Sequence, residues 1–278
     1  MKGRPVRGGY RRKGWAAVLL LMTLAGCSAG DGPEAEDDPD RPIATAAVVE
    51  PGICGSTVVL SDEAADTGTP LTEDQMLARV TADATGKPEG FTTQTVVADE
   101  GLGSFKLSAP QGYSPFWRAG TSPDILLELA EPLDPEWAGF WEQRMRSGDT
   151  NTRAIMVDGT REDAVAAVHV TLTQAYPQTG SALADRFAQD YSEGGGTIGE
   201  RCGVRANGDD GAFVEHTVPG EFLDSNVDRV QLQFLIPDPP NDLLWGVTCD
   251  VPRPLAGEVK KTCREIASTF RPLPAVTG

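Results

Sequence analysis

The sequence predicts an α+β domain in which helices flank an antiparallel sheet. Apolar and polar residues alternate along residues 229–236, and a loop at 237–241 leads into a second apolar run at 243–249, which is typical of a β-hairpin. Residues 258–270 instead carry an apolar stripe at helical spacing. Hairpins combined with helices at separate points of the chain indicate a sheet with helices packed on it.

The same periodicities predict the remaining elements. One helix is expected to begin after Thr72, which has the spacing of a capping box with Gln75. Others are expected to begin at Asp134-Pro135 and to span residues 181–191. Short apolar runs or alternation predict strands at residues 57–60, 92–98, 104–110, 124–130, 154–158, 164–174, 202–204 and 211–218.

The first 26 residues have the three parts of a signal peptide. Six basic residues and no acidic residue accompany an apolar run of eleven residues from Trp15 to Ala25. This run is too short for an ordinary membrane-spanning helix, which needs about 20 residues. Residues 1–26 are therefore expected to direct export, and Arg11-Arg12 before the run is compatible with the twin-arginine route.

The end of that segment, Leu24-Ala25-Gly26-Cys27, resembles the lipobox of bacterial lipoproteins. The resemblance implies that Cys27 receives a diacylglycerol group and becomes the first residue after cleavage. Each buried CH₂ of an acyl chain adds about 0.8 kcal/mol of membrane affinity, so a multiply acylated cysteine is a lasting anchor. Cys27 and the acidic residues that follow it, 27–44, are expected to form a lipidated, disordered tether. An ordinary secretory signal with a chance cysteine is the alternative.

Charge narrows the classes of partner that the processed chain can bind. The sequence has 24 basic and 41 acidic residues, and six of the basic ones lie in the expected signal peptide, which leaves 18 against 41 and a net charge of −23. Nucleic-acid binding needs cationic patches, so no nucleic acid is expected as a partner. Adhesion to anionic headgroups is disfavoured for the same reason, so the lipid on Cys27 is expected to hold the protein at the membrane.

Four cysteines besides Cys27 predict a disulfide framework. An even number of cysteines outside the cytoplasm is typical of disulfides, and four of them allow three connectivities. We favour Cys249–Cys263, which joins a predicted strand end to the following helix, together with Cys54–Cys202. A zinc site is the alternative, but no Cys-x-x-Cys pair is present and both histidines are distant from the cysteines in sequence.

Six segments resemble the PsbP-like superfamily, whose lipid-anchored actinobacterial members include LpqN-type lipoproteins. The segments are residues 105–113, 181–191, 211–213, 227–236, 243–249 and 263–270. The resemblance implies an antiparallel sheet flanked by helices over residues 101–272, and binding or assembly roles that are mostly non-enzymatic. It leaves residues 45–100 as an N-terminal extension of uncertain packing. Frequent Ala, Gly, Asp and Arg suggest a high-GC, actinobacterial source.

No catalytic motif is evident. The two histidines, His169 and His216, lie in predicted strands, and alternation places His169 on the face opposite Val168 and Val170. Both are interpreted as exposed or hydrogen-bonded strand histidines. An extracytoplasmic hydrolase stays open as a hypothesis because triads assemble in space, although no Gly-x-Ser-x-Gly elbow, His-Glu-x-x-His or P-loop occurs. It requires one of these histidines near a Ser, Asp or Glu in a cleft.

Two short motifs contain residue types of cofactor sites, but the surrounding elements or the remaining ligand positions do not match such sites. Residues 194–199 fit Gly-x-Gly-x-x-Gly, yet they follow a predicted helix and lead toward a strand, so a loop is expected. Residues 224–228 match the first ligand positions of a calcium loop, but Arg229 and Leu235 stand where Gly and Glu are needed. We therefore expect no cofactor and no metal.

The densest aromatic group consists of Trp117, Trp137, Phe140 and Trp141. Trp137, Trp141 and Met145 are spaced four apart and share one face of a predicted helix. Packing of this helix on the sheet is one interpretation. The other is a groove in which Trp137 and Trp141 bind a hydrophobic or glycan ligand.

The expected function is a non-catalytic role at the outer face of the cell membrane. The missing catalytic motifs and the superfamily resemblance favour binding of a partner protein or an amphiphilic ligand. A passive stabilising subunit of an envelope complex is, with the hydrolase, an alternative.

Overall fold

The computed structural model describes residues 54, 58–60, 70–81, 86–98, 103–148, 151–223 and 225–274. The expected signal peptide, Cys27 and the acidic tether lie outside these residues. The described part belongs to one compact unit, Glu50–Gly278. None of the helices in it combines the length and the hydropathy needed to cross a bilayer.

Strands predominate among the described residues. They are β1 (Val58–Val59), β2 (Phe91–Val96), β3 (Phe105–Pro110), β4 (Trp117–Arg118), β5 (Thr152–Val157), β6 (Ala167–Gln174), β7 (Thr197–Ala206), β8 (Asp209–Val218), β9 (Arg229–Asp238), β10 (Leu243–Pro252) and β11 (Arg271–Pro272). The α-helices are α1 (Glu73–Thr81), α2 (Asp124–Ala130), α3 (Pro135–Ser147), α4 (Gly180–Glu193) and α5 (Ala256–Ser268).

The strands form two sheets. The larger has the order β1-β7-β8-β9-β10-β6-β5-β4, and its neighbours are antiparallel except that β1 runs parallel to β7. The smaller has the order β11-β3-β2 and is antiparallel. Helices flank these sheets, so the predicted α+β class is confirmed.

One face of the large sheet packs against α5 and the small sheet. The ring of Phe105 in β3 lies 5.6 Å from that of Trp245 in β10 and 5.5 Å from that of Phe270, just after α5. Leu232 of β9 and Ile266 of α5 are fully buried in the same cluster. Burying each such side chain contributes roughly 1.5–3 kcal/mol, which makes this face the main hydrophobic core.

The opposite face carries α3 and α4 at separate places. Trp137 of α3 packs in a cluster with Ile155 of β5, whereas Leu183 of α4 packs in another with Val214 of β8. The two clusters share no residue. Of the central strands β9 and β10, only Leu235 and Leu244 belong to either cluster, and both lie in the α4 cluster.

The prediction of a strand at residues 124–130 is wrong, because this segment forms helix α2. Leu126 and Ala130 are one helical turn apart and both are buried, while Ile125 and Leu129 are exposed. Leu, Glu and Ala favour helices. In a seven-residue segment with five apolar residues, periodicity distinguishes poorly between the two structures.

Residues before position 100 contribute to both sheets. β1 pairs with β7 at one edge of the large sheet, and β2 pairs with β3. Helix α1 has the predicted capping box, since the Thr72 amide donates to Gln75 Oε1 at 3.0 Å and the Gln75 amide donates to Thr72 Oγ1 at 3.4 Å. The described parts of the expected extension are thus joined to the main domain by strand pairing.

The four described cysteines form the two favoured pairs. Cys54 is bonded to Cys202 with a Cα–Cα distance of 5.8 Å, and Cys249 to Cys263 with one of 6.1 Å. The first pair joins the segment before β1 to β7, and the second joins β10 to α5. Because all four cysteines are in disulfides, they cannot serve as thiolate ligands of zinc.

Candidate functional site

Uncharged polar side chains cross the centre of the large sheet between α3 and α4. This polar strip consists of Gln231 and Gln233 on β9, Thr248 on β10, and Thr171 and Thr173 on β6. Strand alternation sends these side chains to the face that carries α3 and α4, and their apolar neighbours to the main core. Gln231, Thr171 and Thr173 are partly exposed, so the strip is not sealed from solvent.

Two members of the strip meet over Gly246 of β10. A Cβ at Gly246 would lie 3.2 Å from Gln233 Nε2 and would overlap Thr171 Oγ1. The Thr171 hydroxyl donates to the Gly246 carbonyl at 3.4 Å. A glycine inside a strand is typical of a site that another group approaches closely. Here it lets an amide and a hydroxyl converge at the middle of the strip.

Aromatic side chains border the strip on the α4 side. The Tyr191 hydroxyl donates to Gln233 Oε1, and the Tyr191 ring stacks on His216 of β8 with a centroid distance of 3.7 Å. The Phe187 ring lies 6.1 Å from that of Tyr191 and 5.1 Å from that of Tyr176. All three of these phenyl or phenol rings are partly exposed, which puts apolar surface beside hydrogen-bonding groups. The Tyr191 hydroxyl itself points inward, and its burial raises the pKa of the phenol, so the hydroxyl stays protonated and donates.

Helix α3 lies on the other side and is held to the sheet by polar contacts. Asp134 Oδ1 accepts from the Trp137 amide at 2.9 Å, which caps the helix as the sequence predicts. The Trp137 indole Nε1 donates to Asp250 Oδ2 of β10 at 2.9 Å. Trp141, one turn later, packs edge-on against His169 with ring centroids 4.4 Å apart.

Arg229 of β9 joins α3 and β10 in one buried network. Its Nε donates to Asp250 Oδ1 at 2.7 Å and its Nη1 to Asp134 Oδ2 at 2.9 Å. Nη2 donates to the carbonyls of Val165 at 2.8 Å and Asp250 at 3.0 Å. Burial alone would raise the pKa of Asp250, but the Arg229 charge and neighbouring donors outweigh burial and lower the pKa. Asp250 is therefore a permanently ionised, neutralised carboxylate.

The two histidines are buried rather than exposed. His169 and His216 are each 3% exposed, and burial lowers the pKa of both to about 4. His169 Nε2 is 3.8 Å from Asp250 Oδ2, which is beyond hydrogen-bond range, and Asp250 is already bound by Arg229. Among the described residues, neither histidine forms the arrangement with a Ser, Asp or Glu in a cleft that a hydrolase requires.

Trp137 and Trp141 do not line a ligand groove. Trp137 is 0% and Trp141 8% exposed, because α3 packs both indoles into its cluster on the sheet. Of the two interpretations of this aromatic group, core packing is the one that the structure supports. The partly exposed aromatic rings on the α4 side of the strip are those of Phe187, Tyr191 and Tyr176.

Sequence reasoning missed the polar strip and the Arg229 network. Gln231 and Gln233 occupy the polar positions of an alternating strand, and such positions usually face water. A signal was available, because helices are predicted along the whole chain and a sheet covered on both faces cannot send all its polar positions to solvent. Arg229 begins the first predicted strand of the hairpin and Asp250 directly follows the second. Antiparallel pairing brings these two positions together, so their charges were candidates for a buried pair.

The two cofactor-like motifs lie at junctions between elements of the fold, one after α4 and the other before β9. No group of three or more His, Cys, Asp or Glu side chains in the described part of the chain could hold a metal ion. In the calcium-like segment Asp224 lies outside the described residues, while the Asp228 carboxylate accepts from the Gly220 amide at 3.1 Å. Residues 194–199 lead from the end of α4 into β7.

A shallow charged cleft lies beside the start of α5. Its volume is about 450 Å³, and Arg161 spans it by pairing with Glu258 at 2.6 Å and with Asp158 at 3.4 Å. Tyr113 lines an adjoining cavity of about 170 Å³, and burial together with Asp158 raises the pKa of its phenol. Two of the cleft carboxylates are thus neutralised by Arg161.

Solved structures similar to this chain include three small proteins. Cyanobacterial PsbP (CyanoP) from Synechocystis sp. PCC 6803 is 12% identical, with 70% of this chain and 99% of that chain covered and a TM-score of 0.40. LpqN of Mycobacterium tuberculosis, described as involved in cell envelope biogenesis, is 10% identical, with 74% and 99% covered and a TM-score of 0.40. The Ran-binding protein Mog1p of Saccharomyces cerevisiae is 11% identical, with 65% and 95% covered and a TM-score of 0.39.

Comparisons of sequence give no relative. No protein-family model and no curated protein matches the chain. The similar structures include a PsbP and an LpqN, and the sequence resemblance was to the superfamily of these proteins. Sequence identities of 12% and 10% with TM-scores of 0.40 do not establish that this chain is a member. Membership of the PsbP-like superfamily stays a prediction, whereas the α+β fold follows from the structure itself.

Proposed function

We propose that the chain is an exported lipoprotein that is anchored at the outer face of the cell membrane through Cys27 and binds an amphiphilic ligand without catalysing a reaction. The signal-like segment and the lipobox resemblance of Leu24-Ala25-Gly26-Cys27 support the anchor. The two cystines fit an oxidising compartment outside the cytoplasm.

The observation that carries the binding role is the polar strip beside partly exposed aromatic rings. Gln231 and Thr171 offer uncharged donors and acceptors, while Phe187 and Tyr191 offer apolar surface next to them. Ligand sites combine apolar walls with a few placed polar groups in this way. An amphiphile satisfies both surfaces, with its polar head on the strip and its apolar part along the rings.

Export and anchoring are tested by metabolic palmitate labelling. Wild type and Ser28→Ala are expected to carry label and to fractionate with membranes, whereas Cys27→Ser is expected to carry none. Ser28→Ala is the control because it changes the neighbouring residue and leaves the acceptor thiol. Equal labelling of Cys27→Ser, or wild type found unprocessed in the cytosol, would overturn the anchor.

Ligand binding is tested by native mass spectrometry of protein released from its own membranes. Wild type is expected to carry an additional mass beyond that of the lipidated chain, and Gln231→Leu to lose it. Gln189→Leu, the same exchange on the exposed side of α4, is the matched control and is expected to keep the mass. A clean mass for wild type would rule out a tightly held ligand.

The same membranes distinguish the remaining alternatives. Co-purification of another protein at fixed stoichiometry, with a clean mass for the chain itself, would favour a partner-binding or passive subunit role. The hydrolase hypothesis loses support, because His169 and His216, its two candidate bases, are buried beneath α3 and α4.

A further inference from the structure

The two helices that border the polar strip each rest on a buried histidine. His169 lies under α3, with its ring 4.4 Å from that of Trp141, and His216 lies under α4, with its ring 3.7 Å from that of Tyr191. The two histidines come from strands on opposite sides of the β9–β10 pair, so they mark the two edges of the strip.

Each histidine has a ring nitrogen without a partner among the described residues. These atoms are His169 Nε2 and His216 Nδ1, and both are shielded from solvent. A neutral imidazole leaves such a nitrogen unpaired at modest cost, whereas an imidazolium has two N–H donors and a charge that both need acceptors or water.

The charged and titratable groups that face His169 come from three elements. Asp250 of β10 is the nearest carboxylate, Arg229 of β9 is the nearest cation, and Asp134 at the start of α3 pairs with Arg229. Asp250 favours the charged imidazole and Arg229 opposes it. Asp250 Oδ2 lies 3.8 Å from His169 Nε2 and already accepts from Trp137, so it bonds to an imidazolium only if the ring or the carboxylate moves.

The charged groups around His216 act on it more weakly than Asp250 and Arg229 act on His169. Asp250 acts on it from a distance, the Gln231 side chain bonds to it, and the Tyr191 phenol of α4 is stacked on its ring. On that helix, Asp190 acts on the neighbouring Tyr191 and pairs with Arg186 at 3.0 Å. Burial therefore dominates at both histidines and lowers the pKa of each to about 4.

We infer that protonation of His169 and His216 loosens α3 and α4 from the sheet and opens the polar strip between them. Water must reach both imidazolium rings, and Trp141 of α3 and Tyr191 of α4 pack directly against these rings. The strands beneath the helices keep their main core, because that core lies on the other face. The inference rests on the proposed function only in treating the strip as a binding site.

Hydrogen exchange followed by mass spectrometry tests this, after correction for the intrinsic pH dependence of exchange. Between pH 7 and pH 4, peptides of α3 and α4 in wild type are expected to exchange on the order of tenfold faster, and those of β9 and β10 to stay unchanged. The double variant His169→Phe/His216→Phe keeps both aromatic stacks and cannot be protonated there, so its α3 and α4 peptides are expected to show no such acceleration.

Two results would overturn the inference. One is equal exchange of α3 and α4 at both pH values in wild type, and the other is acceleration that persists in the double variant. If the double variant does not fold, an NMR titration of the two imidazoles in wild type decides instead, and a pKa near 6.5 for both would show that they titrate as exposed groups. None of these measurements needs a ligand, so their failure leaves the proposed function intact.

Discussion

Arg229 and Asp250 form an ion pair that is almost completely shielded from water. Arg229 Nε lies 2.7 Å from Asp250 Oδ1, and the two residues are 1% and 2% exposed. Buried charges are expensive to desolvate and are tolerated when every hydrogen-bonding atom finds a partner. Here the partners come from α3, β9 and β10, so the pair fixes the helix that borders the polar strip.

The first prediction concerns this pair. Asp250→Asn removes one charge and leaves the Arg229 guanidinium buried without its counterion, so the free energy of unfolding is expected to fall by about 3–5 kcal/mol. Urea denaturation monitored by tryptophan fluorescence measures it. The control is Asp185→Asn, which breaks the pair of Arg201 with an Asp185 side chain that is 64% exposed. That surface change is expected to cost less than about 1 kcal/mol. Similar losses in both variants would contradict a special role for the buried pair.

The second prediction separates the two roles of Asp134. Its Oδ1 caps α3 and its Oδ2 pairs with Arg229. Asp134→Asn keeps the capping oxygen but loses both the charge and the acceptor for Arg229 Nη1, whereas Asp134→Ala loses the cap as well. The alanine variant is expected to be the less stable by about 1–2 kcal/mol, which is the usual value of an N-cap. Thermal unfolding of the two proteins compares them, and equal stabilities would show that the cap contributes nothing.

Periodicity predicted most of the fold because its signals are local. The alternation of β9 and the capping box of α1 depend on residues within a few positions of one another. The error at α2 has the same origin, since seven residues contain too little periodicity to choose between a strand and a helix.

The candidate site could not be predicted in this way, because it depends on which elements meet in space. Gln233 and Tyr191 are 42 positions apart and meet only because α4 packs on β7 and β8, from where the Tyr191 hydroxyl reaches β9. Likewise, Arg229 and Asp134 are 95 positions apart. No spacing rule joins residues at such separations, so a sequence can suggest buried polar positions without naming their partners.

The third prediction uses the different loops that the cystines close. In the chain-entropy model, a disulfide across the 14-residue separation of Cys249 and Cys263 stabilises the folded state by about 3 kcal/mol. The 148-residue separation of Cys54 and Cys202 corresponds to about 5 kcal/mol. Replacing each pair by alanine is therefore expected to cost more for Cys54–Cys202, as measured by urea denaturation of the two double variants. The opposite order would indicate that packing around Cys249, and not loop closure, determines the loss.

The fourth prediction is a dependence of stability on pH. His169 and His216 have a pKa of about 4 in the folded chain, against about 6.5 when unfolded. Between these values the unfolded chain binds more protons, so stability is full above pH 6.5 and falls as the pH drops toward 4, by about 3 kcal/mol for each histidine. The lowered pKa of Asp250 acts only below its unfolded value of 3.8.

Urea denaturation at several pH values between 4 and 7 checks this dependence. His169→Phe alone is expected to remove about half of the slope, since the two histidines have similar shifts. A slope that is unchanged in that variant would assign the acid sensitivity to other groups.

The last prediction concerns the approach of α4 to the sheet. Gly203 lies on β7 directly under the first turn of α4, where an added Cβ would be 3.0 Å from the Ser181 nitrogen and 3.2 Å from the Gly180 carbonyl carbon. Both neighbours are backbone atoms, so Gly203→Ala must push the helix away and is expected to cost about 1–3 kcal/mol. Gly257 of α5 has nothing within 4 Å of such a Cβ, and Gly257→Ala is expected to stabilise by up to about 1 kcal/mol through helix propensity. Thermal unfolding compares the two, and because α4 carries Tyr191 over the polar strip, Gly203→Ala is also expected to weaken any ligand retained there. A Gly203→Ala protein as stable as wild type would show that α4 is not held against β7 at this point.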